Sequence, residues 1–203
     1  FVCYIKLIKF IYYLTIGDYM SDLTITNAGN AVTQLRPGMK SSNQKLNHMN
    51  VELIDVTLTT DAEAHSNNDV IAQSIEIANA VQEDGGTGII QSIMLLDEDD
   101  EAPTVELLFS QVNTAITNDE GEAIGNSVAD LDTTFRSFLG AVTVSNWSDL
   151  VDAQIGVKTN VGLAIKAAST TRSIWVHAVN RSGGNYTPAA DKHIKLRIGI
   201  VQD

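Results

Sequence analysis

HIKLRIGI, residues 193–200, alternates without a break: Ile194, Leu196, Ile198 and Ile200 take one row, and His193, Lys195, Arg197 and Gly199 take the other. Successive side chains of an extended chain point to opposite faces, so this spacing predicts a strand with one apolar face and one wet, cationic face. The same pattern recurs upstream. In VELIDVTLT (51–59), Ile54, Val56 and Leu58 alternate with Asp55, Thr57 and Thr59, and in SIEIANAV (74–81) Ile75 and Ile77 flank Glu76. Further rows are Phe138, Val142 and Val144; Val161, Leu163 and Ile165; and Ile174, Val176 and Ala178.

Two more strands, about 88–96 and 104–110, carry apolar residues on both rows, which predicts burial on both faces. Between them stand five consecutive acids, Asp97 to Glu101, and a proline. A hairpin accounts for this local pattern: both strands lie in a core and the charged turn stands in water. Turn-rich segments such as NDEGEAIGNS (118–127) and RSGGNYTPAADK (181–192) separate other strands. Helix signals are few. Ser127 is placed to cap a short turn through VADLD, and Asn146 or Ser148 another through SDLVD. The fold class that follows is all-β: an antiparallel two-sheet sandwich, jelly-roll-like, of about eight strands, with an extended N-terminal arm.

The chain has 203 residues, 44% hydrophobic and 19% charged, enough for one core without disulfides or a structural metal. Its net charge of −12 repels phosphate backbones and anionic lipid, so nucleic acid is not an expected partner. Residues 1–19 stand apart: fourteen of the nineteen are hydrophobic, and they hold the only cysteine, Cys3, and four of the five tyrosines. They are expected to be a non-native upstream extension, because Met20 opens an ordinary soluble sequence and Lys6 and Lys9 interrupt an apolar run too short to span a bilayer. A hydrophobic anchor is the alternative, and only in that case is a membrane implied. Residues 20–50 form a polar arm that is locally basic through Lys40, Lys45 and His48, and residues 51–203 form the β-sandwich domain.

Candidate chemistry is sparse. The carboxylates of Asp97, Asp99 and Asp100 are the right ligand type for calcium but lack the spaced pattern of an EF-hand loop, and a solvated turn needs no ion. His48, His65, His177 and His193 are scattered without metal-ligand spacing, and His177 shares a strand row with Trp175 and Val179, as a packed histidine would. GGTG (85–88) is followed by a strand rather than by Lys-Ser/Thr, which makes it a turn and not a phosphate cradle. Asn146-Trp147-Ser148 and Asn180-Arg181-Ser182 match the glycosylation sequon, a short pattern that chance often produces. No catalytic residues, cofactor or metal are expected.

GGTGIIQSIMLLDEDD, VELLFS, NVGLAIKAA and the closing IKLRIGIVQD together resemble a group of small virion-associated proteins of tailed bacteriophages, over residues 51–203. The matching positions are Gly85, Gly86, Gly88, Ile90 and Ser92; the run Val105 to Phe109; and Leu196, Ile198, Gly199, Ile200, Gln202 and Asp203. The resemblance implies a non-enzymatic structural component of the virion, a capsid decoration or other head-associated protein assembled in the host bacterial cytoplasm. Its partners would be capsid or other virion proteins, with self-association left open. Lys40, Lys45, Lys195 and Arg197 are the expected contacts, since cations on an acidic protein suit an acidic partner surface. The competing classes are a carbohydrate-binding β-sandwich module and, third, a jelly-roll enzyme.

Overall fold

The computed structural model describes residues 50–113, 119–124, 135–189 and 193–203. The expected extension and arm, with Lys40, Lys45 and His48, and the turn capped by Ser127 lie outside the described residues, except that Asn50 opens the first strand. Nine strands are described: β1 Asn50–Leu58, β2 Val70–Ile77, β3 Thr87–Asp97, β4 Val105–Ser110, β5 Phe138–Val144, β6 Trp147–Asp149, β7 Gln154–Lys166, β8 Ile174–Asn180 and β9 Ile194–Gln202. The one described helical element is a 3-10 turn at Phe135–Ser137.

The strands form a five-stranded sheet, β1-β9-β3-β7-β6, and a four-stranded sheet, β2-β8-β4-β5, in which every pairing is antiparallel. With the three-residue β6 set aside, the chain steps between sheets at every connection except β4 to β5. That order is a jelly roll, two interleaved Greek keys closed by the first and last strands lying side by side. The inner rows meet as one core. Ile194, Leu196, Ile198 and Ile200 face Val176, Ala178, Leu107 and Phe109, all buried, and burying each such aliphatic side chain contributes about 1.5–3 kcal/mol over leaving it in water.

Four expectations need correction. First, β3 and β4 are not a hairpin. β3 pairs with β7 and β9 in one sheet and β4 with β5 and β8 in the other, so the acidic segment is a crossover between sheets. Second, the crossover does not simply stand in water, because Asp97 is buried. Third, SDLVD caps no helix: Trp147–Asp149 pairs with Gly156, Ile155 and Gln154 as β6. Fourth, Leu139 rather than Phe138 packs on the core, because the register shifts between Phe109 and Ser110 where Gly140 takes a φ of 146°. A side chain at that glycine would drive its Cβ to 2.6 Å from the Leu163 side chain.

Candidate functional site

The outer face of the five-stranded sheet is where the sequence-derived cations stand. Register fixes its rows. Asp55, Arg197, Met94 and Val157 lie side by side across β1, β9, β3 and β7, and Thr57, Lys195, Leu96 and Ile155 make the next row. All of these except Val157, which stands beside it, line a shallow groove of about 440 Å³ with an apolar floor of Met94, Leu96 and Ile155. The apolar outer row of β3, which predicts burial, is instead half-buried at Met94 and Leu96, as the floor of an open groove, and exposed at Ile89, because no second layer covers it among the described residues.

Large apolar side chains extend this surface. Val51 and Leu53 on β1 are 67% and 62% exposed, Ile89 on β3 is 41% and Val157 on β7 is 48%. Leu53 lies over Gly199, whose missing side chain leaves room: a Cβ there would sit 3.5 Å from Leu53 and 2.4 Å from the Ser92 hydroxyl. Single exposed aliphatics are ordinary on a protein surface, but four on one sheet face form a candidate docking surface.

The two cations differ. Arg197 holds Asp55 in a fork, with Nε 2.6 Å from Oδ1 and an Nη 2.9 Å from Oδ2. Hydrogen bonding and charge from Arg197 lower the Asp55 pKa and the same contact raises that of Arg197, so both stay charged. Arg197 therefore presents a neutralised pair. Lys195, half-buried in the adjacent row, makes no salt bridge among the described residues and is the groove's net positive charge. Periodicity places Asp55, Lys195 and Arg197 on outward rows; it gives no sign that Asp55 and Arg197, 142 positions apart in sequence, meet.

The acidic crossover is a clasp. Asp97 accepts hydrogen bonds from the backbone N–H groups of Asp99 at 3.2 Å and of Glu101 and Ala102 at 2.9 Å each. Asp99 accepts from the Ala189 N–H, Glu101 from the Thr187 N–H at 3.0 Å, and Asp100 from Gln154 Nε2 at 2.7 Å. The acids thus tie the crossover to itself, to the 180s loop and to β7. No three His, Cys, Asp or Glu groups converge to hold a metal among the described residues.

The remaining candidates are packed apart rather than gathered in a cleft. His177, on the outer row of β8, is buried and accepts the Ser74 N–H at Nδ1, 3.0 Å away, while Nε2 has no partner. His65, also buried, sits with Nε2 3.0 Å from Asp61 Oδ1, close enough for an ion pair but not aligned as a hydrogen bond, and stacks on Tyr186. Burial, then the carboxylates of Asp97, Asp99 and Glu101, push the Tyr186 phenol well above its ordinary value; it makes no hydrogen bond of good geometry. Asn180 is fully buried, its Nδ2 donating to the carbonyls of His65, Gly184 and Ser66, so in the folded chain it is closed to glycosylation.

No family model and no curated protein matches the chain. Solved structures similar to it include three of viruses. A chain of Desmodium yellow mottle tymovirus is 11% identical over 86% of this chain and 92% of that one, with a TM-score of 0.25. A chain of Tomato aspermy virus is 10% identical over 95% and 94%, with a TM-score of 0.30. A chain of the Israeli acute paralysis virus full particle is 11% identical over 88% of each, with a TM-score of 0.23.

Proposed function

We propose that the protein is a non-enzymatic structural component of a tailed-bacteriophage virion, of the capsid decoration or head-associated type, and that it docks on the shell through the outer face of its five-stranded sheet. The observation that carries this reading is the groove itself. On a chain of net charge −12, one sheet face gathers Met94, Leu96, Ile155 and Val157 beside the cationic Lys195. An acidic protein surface with an apolar centre complements it, while the net charge of −12 over the rest of the chain disfavours a long polyanion such as nucleic acid. The jelly-roll strand order is compatible with this role, being an architecture used by viral capsid domains as well as by lectins and cupins. Lys40 and Lys45, in the polar segment before β1, would add cationic contacts to neighbouring subunits.

The test is co-sedimentation with purified shells that lack the native copy. The unmodified protein is expected to pellet with the shells, less so as salt rises, because screening weakens the contact of Lys195 with an acidic surface. Val157→Glu combined with Lys195→Glu is expected to abolish attachment while preserving the melting transition. Equal attachment by this variant would remove the groove from the proposal, and no attachment by either protein would remove the shell.

A further inference from the structure

A strand at the edge of a sheet presents unpaired N–H and C=O groups, and proteins blunt such edges with short strands, bulges, proline, lysine or a covering loop. Three of the four edges here are blunted. β6 is three residues long. β2 has two register shifts and is covered where Gly121 and Glu122 exchange backbone hydrogen bonds with Val70. β5 is broken by its own register shift at Gly140.

β1 carries two charges of its own, Glu52 and Asp55, but has neither the shortness, the register shifts nor the cover of the other three. Its nine residues pair with β9 in unbroken register from Asn50↔Gln202 to Leu58↔Ile194. NVELIDVTL contains no proline, glycine, lysine or arginine, and none of its residues has a positive φ. On its other side no backbone group is hydrogen-bonded among the described residues, and Val51 and Leu53 stand exposed on its outer face. It is a long, regular and unpaired edge among the described residues.

We propose that β1 pairs antiparallel with β1 of a second copy of this chain, about a two-fold axis at Ile54, joining two five-stranded sheets into one of ten. The register follows from charge and length. Directly opposed side chains share a face, so an axis at Glu52 or Asp55 would set that carboxylate against its own copy. An axis at Leu53 would leave Thr57 and Leu58 unpaired. With the axis at Ile54 all nine residues pair, Asn50 opposite the partner's Leu58, Val51 opposite the partner's Thr57 and Leu53 opposite the partner's Asp55, and no like charges meet. This pairing needs only copies of this chain, so it is independent of docking on a shell.

The salt response separates the two associations. Each copy carries a net charge of −12, so screening favours the dimer, whereas it weakens attachment through Lys195. Sedimentation equilibrium of the full chain at tens of micromolar is expected to show a dimer that strengthens from low to moderate salt. Leu53→Glu, which places two symmetry-related like-charge pairs against Asp55, is expected to weaken it about tenfold, while Leu53→Lys leaves it as tight or tighter. Thr170→Glu and Thr170→Lys, at an exposed turn away from β1, carry the same charge changes and are expected to leave the dimer alike. Hydrogen exchange locates the contact: in a monomer alternate β1 amides exchange fast, and in the dimer all are slowed, in step with dimer formation. A monomer throughout, equal weakening by both Leu53 variants, a dimer in which alternate β1 amides still exchange fast, or a monomer in which all are already slow would each overturn the proposal.

Discussion

Lowering the pH through 6.5 should destabilise this protein through one side chain, His177. Its pKa is lowered from 6.5 to about 4 by burial. The geometry gives an independent reason. Nδ1 already accepts the Ser74 N–H at 3.0 Å, so protonating it would set two donors against each other, and the buried Nε2 has no acceptor. The sign follows from linkage. Below 6.5 the unfolded chain takes up a proton that the native imidazole refuses, so the contribution is intact above 6.5 and is lost as the pH falls towards 4. At about 1.4 kcal/mol per pH unit, the loss over that window amounts to about 3 kcal/mol. His177→Asn keeps an acceptor for Ser74 and removes the titration. Urea unfolding of both proteins from pH 7.5 to 4 should give free-energy curves that diverge by about 3 kcal/mol across the window, the wild type falling faster. Parallel curves, or an NMR titration of His177 near 6.5, would refute the reasoning.

Three further outcomes are expected. Leu196→Ala should cost about 2–5 kcal/mol in chemical denaturation, because Leu196 is 1% exposed in the centre of the core and the substitution leaves a cavity. Asp97→Ala should cost about 1–3 kcal/mol by stranding the N–H groups of Asp99, Glu101 and Ala102, and millimolar calcium should leave the wild-type melting temperature unchanged since those carboxylates are already engaged. Asn180→Ala should lower the melting temperature by several degrees, because three carbonyls lose their donor in a buried site.

What the sequence disclosed was local. The alternation of Ile194 to Ile200, and of Ile54 to Leu58, reports one strand facing one core, and the structure places those rows inward. Which sheet a strand joins is not local. Apolar runs around a charged turn look alike whether the strands pair with each other or, as with β3 and β4, leave for different sheets. A bulge at Gly140 reverses the alternation that points Phe138 inward, and the three residues of β6 are too few to show a period. The candidate site was half legible. Lys195 and Arg197 stood out as the cationic row of the clearest strand. The Asp55 fork and the apolar groove floor arise only when β1, β9, β3 and β7 are set side by side.

Cross-linking and mass spectrometry on intact, purified virions test the central claim most directly, because they ask at once whether the chain is in the particle and which face meets it. The expected result is the chain present in the virion, with Lys195 cross-linked to a shell protein. Absence of the chain from purified particles, or shell cross-links only from lysines off the outer row such as Lys158, opposite Ile93 in the register, would contradict it.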